Sequence, residues 1–228
     1  MPGYAIKLLT VRIADVDYRL WVLADKQQFA DADGAAARTG ISSANWPLFG
    51  QLWPAGAVLA TYLAGLPMAG RHILEIGCGM GLSSLLLQRR GGDITASDQH
   101  PLAAAFLARN CAEYGLPPIP FVAAGWGDTA ATALGRFDLI VASDILYERG
   151  HADAVAAFLH QHAAAVCEFI LTDPGRGQAP RLCKALLLQG YAYTERRLAF
   201  ASAETAPFKG RLLHFTRRLP EFWPVGAR

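Results

Sequence analysis

The sequence predicts an α/β protein built around a mostly parallel sheet. Within residues 71–81, an apolar run (Ile73, Leu74 and Ile76) passes through a glycine-rich turn into a helical pattern, as expected for a buried strand followed by a helix. Strand-like and helix-like patterns then alternate along the chain, and two β-rich runs close it. Such alternation is typical of a sheet with helices on both faces. The 228 residues, 53% of them hydrophobic, are enough to bury a large core.

The first 47 residues predict an extension to this fold. Residues 5–13 and 18–23 are β-rich and flank a short polar stretch, which predicts a hairpin. Residues 24–45 are small and polar without a clear period, so they form either a loop that covers a cleft or a plain surface linker. We therefore expect residues 1–47 to form an N-terminal hairpin and loop, and residues 48–228 to form the main domain.

The main domain begins with a helix that starts near Pro54, since proline is tolerated in a first turn, and ends before Gly65. After the glycine turn, strands are predicted at residues 93–98, 119–123, 137–144 and 168–172, and helices at residues 101–114, 152–165 and 181–189. The β-rich runs at 191–201 and 211–218 predict a final antiparallel hairpin.

The composition argues against several kinds of partner. The net charge is only +2, the pI is near 8.4 and the arginines are scattered, so nucleic acid is not expected to bind. The four cysteines have no paired spacing, which favours free thiols over disulfides or a zinc site. The chain carries neither a secretory signal pattern nor an apolar run of about 18 residues. We expect a cytoplasmic monomer that binds no metal and no membrane.

The glycine turn is the first candidate site. Gly77, Gly79 and Gly81 follow the strand, and Glu75 lies two residues before the first of them. Glycines permit a tight turn and a close approach of ligand to backbone, and the helix start offers free N–H groups. A dinucleotide fingerprint would need a glycine where this chain has Leu82. A tight turn that binds no ligand is the alternative.

With these residues the sequence resembles the class I, seven-β-strand S-adenosylmethionine (SAM) methyltransferases, whose first motif reads E/D-x-G-x-G-x-G. The resemblance implies a three-layer, Rossmann-like α/β fold with seven strands, mostly parallel and ending in an antiparallel hairpin. It also implies SAM as the cofactor, with the glycines passing under its methionine part. Asp98, at the tip of the next strand, can accept hydrogen bonds from the ribose hydroxyls. Alternatively, Asp98 caps the helix that follows.

Four further motifs resemble one branch of this family, the protein-lysine methyltransferases that include the electron-transfer-flavoprotein β-subunit enzyme. They are L-W-P-x-x-x-x-L-A-x-Y-L around Trp53, W-G-D from Trp126, D-x-x-Y from Asp144 to Tyr147, and D-P-G-R ending at Arg176. The resemblance implies that both tryptophans line the cofactor pocket and that Asp144 and Tyr147 form the catalytic acceptor channel. Alternatively, Trp53 is only a hydrophobic staple under the helix, and Trp126 is a surface residue under a loop. Arg176 either pins an acidic acceptor surface or belongs to an ordinary turn.

The predicted cofactor-binding set follows from this resemblance. Its members lie in the tryptophan helix, the glycine turn and the ends of the following strands: Trp53, Glu75, Gly77, Cys78, Gly79, Gly81, Asp98, Gln99, Trp126, Ala142 and Ser143. The expected function is N-methyl transfer to a protein lysine, without a metal. A small-molecule N-methyltransferase acting on a pyridine or an amine, and a non-catalytic SAM-binding interaction module, remain as alternatives.

Overall fold

The computed structural model describes residues 3–25, 34, 38–41, 45–126, 134–200 and 206–218. The strands are β1 (Ile6–Ile13), β2 (Val16–Leu23), β3 (His72–Ile76), β4 (Asp93–Asp98), β5 (Phe121–Ala123), β6 (Phe137–Ser143), β7 (Ala163–Asp173), β8 (Ala192–Phe200) and β9 (Phe208–Arg217). The helices are α1 (Pro54–Leu63), α2 (Leu82–Arg89), α3 (Ala103–Glu113), α4 (His151–His162) and α5 (Ala179–Leu188), with a 3-10 helix at Trp46–Leu48. None of these helices is long and apolar enough to cross a membrane.

The main sheet has seven strands in the order β5-β4-β3-β6-β7-β9-β8. Strands β3 to β7 run parallel, and β9 inserts antiparallel between β7 and β8. The predicted seven-strand fold with a terminal antiparallel pair is confirmed. The strand order reverses between β3 and β6, and open α/β sheets bind ligands in the crevice at such a switch point.

Two hydrophobic cores lie on the two faces of this sheet. Successive strand residues point to opposite faces, so Ile73 joins one core and Leu74 joins the other. The first core is covered by α1, α2, α3 and the N-terminal hairpin, and the second by α4 and α5. The sheet and the elements packed on its two faces form three layers, as predicted.

The N-terminal hairpin packs as part of the first core. Strands β1 and β2 pair antiparallel from Ile6 and Leu23 to Ile13 and Val16, and the buried side chains of Ile13 and Leu20 lie in the core shared with β3. Asn110, on α3, accepts a hydrogen bond from the Trp21 N–H at 2.7 Å. The hairpin therefore shares one core with the main domain. The domain boundary at residue 47 stays a prediction.

The boundary between α4 and β7 differs from the prediction. The helix was expected at residues 152–165 and the strand at 168–172, but α4 ends at His162 and β7 begins at Ala163. Alanine favours helices locally, whereas here Ala163 pairs with Phe137, and its carbonyl accepts hydrogen bonds from the Arg136 and Arg217 guanidinium groups. Tertiary pairing therefore outweighs local helix propensity at this point.

Asn110 offers a test of the hairpin's attachment. Its side chain also donates to the Met80 carbonyl at 2.9 Å, so Asn110→Ala would remove this partner from the buried Met80 carbonyl and from the half-buried Trp21 N–H. We expect a loss of about 2–5 kcal/mol in the free energy of unfolding, measured by urea denaturation. The control, Arg12→Ala, removes an exposed ion pair at the hairpin tip and should cost less than about 1 kcal/mol. Equal effects would contradict the assigned role of Asn110.

Candidate functional site

The glycine turn links β3 to α2 with three residues in the left-handed region. The φ angles of Gly77, Gly79 and Gly81 are 63°, 53° and 78°. The three glycines have different surroundings. A Cβ at Gly81 would overlap the Leu107 side chain on α3, whereas a Cβ at Gly79 would meet no atom within 4 Å. Gly81 therefore allows close helix packing, and Gly79 leaves its backbone open to a ligand.

The Asp98 carboxylate connects the ends of β3 and β4. One oxygen accepts a hydrogen bond from the Gly79 N–H at 2.9 Å, and the other accepts from the His100 N–H at 2.7 Å. The alternative of a capping role is wrong, because α3 begins after Leu102 without a side-chain cap. Burial raises the pKa of Asp98. Each oxygen keeps a lone pair for a ligand hydroxyl.

A cavity of about 360 Å³ opens at the switch point between β3 and β6. Nine of the predicted residues line it: Trp53, Gly77, Gly79, Asp98, Gln99, Trp126, Ser143, Asp144 and Tyr147. The cavity therefore brings the glycine turn, the acidic tip of β4 and the end of β6 into one space. Its volume lies within the range of pockets that hold drug-sized ligands.

Four of the predicted cofactor residues do not line the cavity. Glu75 accepts hydrogen bonds from the Ser84 N–H, at 2.8 Å, and from the Ser84 hydroxyl, so it holds the start of α2. Ala142 precedes Ser143 in β6 and points to the opposite face, into the second core. Cys78 and Gly81 likewise lie behind the turn, where the Cys78 thiol is buried in the first core. None of these four residues lines the cavity.

Aromatic side chains form much of the cavity wall. The Trp53 indole lines the cavity while its N–H donates to the Leu48 carbonyl at 2.8 Å. Trp126 and Tyr147 both pack edge-to-face on His151, with ring centroids 4.8 and 4.6 Å away. Burial raises the pKa of Tyr147 to about 12, so its phenol is neutral at physiological pH. Gly127 and Asp128, the rest of the W-G-D motif, lie outside the described residues.

The end of β6 carries a carboxylate that is held by an arginine. Asp144 accepts two hydrogen bonds from Arg176, one from Nε and one from Nη2, each 2.8 Å long. The Asp144 backbone has a positive φ of 50°, and its N–H donates to the Thr172 carbonyl at 2.8 Å. Both features expected around Arg176 are present: its side chain reaches Asp144, and Asp173 makes an ordinary turn by accepting from the Gly175 N–H at 3.1 Å. A role of Arg176 toward an acidic acceptor surface stays a prediction.

Several lining residues were not recognised from the sequence. Asn45 donates to Glu148 across the cavity edge, and Phe49 stacks on His100 with ring centroids 3.7 Å apart. Burial lowers the pKa of His100 to about 3, so this ring is neutral. The segment before α1 therefore covers the cavity where the structure describes it. His151, behind Trp126 and Tyr147, carried no sequence signal because its role depends on contacts distant in the chain.

An open α/β sheet with this glycine turn, an acidic β4 tip and an inserted antiparallel strand defines the class I methyltransferase fold. The chain belongs to the lysine methyltransferase family, whose sequence pattern matches residues 44–177. The family predicted from the motifs is thereby confirmed.

Two curated proteins are similar to parts of this chain. The electron transfer flavoprotein beta subunit lysine methyltransferase of Danio rerio is 32% identical over 139 residues, which cover 58% of this chain and 52% of that protein. The histone-arginine methyltransferase METTL23 of Homo sapiens is 34% identical over 105 residues, covering 42% and 54%. This chain thus spans about half the length of the curated relatives it matches.

A solved structure supports the fold. Magnesium protoporphyrin IX methyltransferase from Synechocystis PCC 6803, solved with bound SAM, superposes with a TM-score of 0.54 at 15% identity. The match covers 82% of this chain and 92% of that one. At this identity the likeness concerns the fold alone.

Glu75 generates a prediction about pH and stability. Burial raises its pKa from 4.5 to about 7, so between these values the folded protein holds a proton that the unfolded chain has released. Stability should therefore fall as pH rises from about 5 to 7.5, by on the order of 3 kcal/mol. Glu75→Gln should flatten this slope in urea denaturation, whereas Asp93→Asn, at an exposed site, should not. Parallel profiles for native protein and Glu75→Gln would refute the assignment.

Proposed function

We propose that this chain is a SAM-dependent N-methyltransferase whose acceptor is the side-chain amine of a lysine in a protein. The observation that carries the proposal is that the glycine turn, the Asp98 carboxylate and the D-x-x-Y pair Asp144 and Tyr147 line one cavity. Membership of the lysine methyltransferase family supports the same reaction. The cytoplasmic location and the monomeric state stay predictions of the sequence.

The residues of the cavity fit the chemistry of SAM. Gly79 leaves open space beside its backbone, and Asp98 retains lone pairs for the two ribose hydroxyls. Trp126 offers a flat apolar face suited to adenine. The carboxylates of Asp98, Asp144 and Glu148 outnumber the single lining arginine among the described residues, which favours a cationic ligand such as a sulfonium.

When bound, SAM supplies a methyl group already activated on a sulfonium sulfur. The protein's contribution is then to orient the acceptor and to exclude water. The segment around Phe49 and the walls at Trp53 and Trp126 enclose the cavity and serve that purpose. Tyr147, as a neutral phenol, presents an aromatic ring beside the Asp144 carboxylate.

A lysine acceptor must lose its proton before it can react. With an ordinary pKa near 10.4, forming the neutral amine at pH 7 costs about 4–5 kcal/mol. Asp144 can hold the incoming ammonium, and Tyr147 can contact it through its ring face. Desolvation inside the cavity favours the neutral amine, whose proton leaves to solvent. Asp144 is thus proposed to bind and orient the acceptor.

A protein arginine is a second candidate acceptor. Asp144 binds the Arg176 guanidinium through two parallel hydrogen bonds, so its carboxylate is suited to that group. The relative METTL23 is named a histone-arginine methyltransferase. Lysine is preferred here because the matching family is that of lysine methyltransferases.

The direct experiment is calorimetric titration with SAM and S-adenosylhomocysteine, with NAD as the control. Micromolar SAM binding without NAD binding is expected. Transfer of radiolabelled methyl groups into a lysate, followed by acid hydrolysis, then separates methyllysine from methylarginine and from small-molecule products. Methyllysine supports the proposal, and label confined to small molecules would overturn the protein acceptor. Absence of SAM binding would overturn the whole proposal.

The glycine turn provides a matched pair of variants. Gly79→Ala and Gly91→Ala both place a Cβ in open space at a positive φ, of 53° and 80°, but only Gly79 lines the cavity. Each should lose about 1 kcal/mol of stability. Gly79→Ala should also weaken SAM binding at least about tenfold in calorimetry, because its methyl group occupies ligand space. If both variants bind SAM equally well, the glycine turn is not the cofactor site.

Asp144 provides a test of the acceptor site. Asp144→Asn keeps the size of the side chain but removes the charge that would hold an ammonium. We expect SAM affinity within about threefold of the native value and a loss of about 100-fold in kcat/KM for the methylated protein. Asp153→Asn is the control, because Asp153 forms an exposed pair with Arg181 outside the cavity. Unchanged turnover in Asp144→Asn would remove Asp144 from the mechanism.

A further inference from the structure

We propose that Arg176 weakens the binding of cationic acceptors by competing with them for Asp144. Its guanidinium occupies the carboxylate in the free protein, and a cationic acceptor displaces it, whereas a neutral group does not. This inference rests on the proposed function, since it concerns the acceptor end of the same cavity.

The first observation is that Arg176 binds both carboxylate oxygens of Asp144. Arg176 donates to both oxygens of Asp144, at 2.8 Å each, and both residues line the cavity. An ammonium that approaches Asp144 therefore meets a carboxylate whose best hydrogen-bonding positions are taken. The acceptor must replace Arg176 to bind there.

The second observation is the difference in exposure between the two partners. The Asp144 side chain is 9% exposed, while the Arg176 side chain is 42% exposed. Asp144 is also fixed by its backbone, which donates to the Thr172 carbonyl in the sheet. The carboxylate is therefore the stationary member of the pair, and the arginine is the member that can move into solvent.

The loop that carries Arg176 is built to allow this movement. Arg176 lies between Gly175 and Gly177, whose φ angles are 93° and 89°. A Cβ at Gly177 would meet nothing within 4 Å, and one at Gly175 would meet only the Arg211 guanidinium, at 3.8 Å. Asp173 anchors the start of the loop by accepting from the Gly175 N–H at 3.1 Å. The side chain can therefore leave without disturbing the core.

The charges of the cavity explain why only a cation displaces Arg176. Arg176 is the only side chain with a fixed positive charge among the described lining residues, which include the carboxylates of Asp98, Asp144 and Glu148. If Arg176 leaves for a neutral acceptor, Asp144 remains as a poorly hydrated carboxylate without a partner, which is unfavourable. If a lysine ammonium replaces Arg176, the charge at Asp144 stays balanced. A cationic acceptor can therefore displace Arg176, whereas a neutral one leaves it on Asp144.

The test uses two probes that differ only in the charged group. Nα-acetyl-lysine amide carries an ammonium, and Nα-acetyl-norleucine amide is its shorter neutral counterpart. Binding of each to the full chain with S-adenosylhomocysteine is measured by ligand-observed NMR. Arg176→Gln should bind the lysine amide at least about tenfold more tightly than the native protein does, with no change for the norleucine amide.

The control is a second arginine of the same kind. Arg181 donates from Nε to Asp153 at 2.7 Å and from Nη2 as well, but this pair lies outside the cavity, so Arg181→Gln should change neither affinity. The double variant Arg176→Gln/Asp144→Asn should lose the gain seen in Arg176→Gln. Arg176→Met serves as a second variant if Arg176→Gln does not fold.

The outcomes separate the two proposals. Equal or weaker lysine amide binding in the Arg176 variants, with SAM binding intact by calorimetry, would overturn the competition model and leave the methyltransferase proposal standing. Such a result would mean that Arg176 positions Asp144 instead. If the native protein binds neither SAM nor S-adenosylhomocysteine, the proposed function fails, and the inference about Arg176 fails with it.

Discussion

The cavity depends on the way in which Asp98 joins two loops. Its carboxylate accepts the Gly79 N–H from the turn after β3 and the His100 N–H from the turn after β4. His100 in turn stacks on Phe49, from the segment that covers the cavity. One half-buried carboxylate therefore fixes the floor directly and the covering segment indirectly. Burial disfavours the charged form of Asp98 and so raises its pKa. The hydrogen bonds from the two N–H groups favour the charged form and offset part of this effect.

The features that could be predicted from the sequence are those decided by neighbouring residues. The strand before the glycine turn, the turn itself and the start of α1 at Pro54 each depend on a short local pattern, and the structure has all three. Parallel strands also end at a common edge of the sheet, so acids at the ends of β4 and β6 can meet there. Asp98 and Asp144 both line the cavity, as that rule allows.

The remaining features depend on directions and contacts that a short pattern does not encode. Ala142 adjoins Ser143, yet a single step along a strand reverses the side chain and turns Ala142 into the core. Glu75 belongs to the glycine motif but bonds to Ser84 in α2. The pairing of Asp144 with Arg176 joins residues 32 positions apart in the chain. Such pairings follow only once strands β6 and β7 are aligned.

The backbone of Asp144 links the fold to the proposed chemistry. Among the described residues, only Ala14 and Asp144 combine a side chain with a positive φ. Ala14 lies in a hairpin turn, where such a conformation is common, whereas Asp144 follows a buried strand. The left-handed conformation costs about 1 kcal/mol. With this backbone conformation, the Asp144 N–H donates to the Thr172 carbonyl of the neighbouring strand, and Asp144 lines the cavity. A strained residue whose carboxylate lines a cavity is consistent with the acceptor-site role proposed for Asp144, because such strain is concentrated at functional sites.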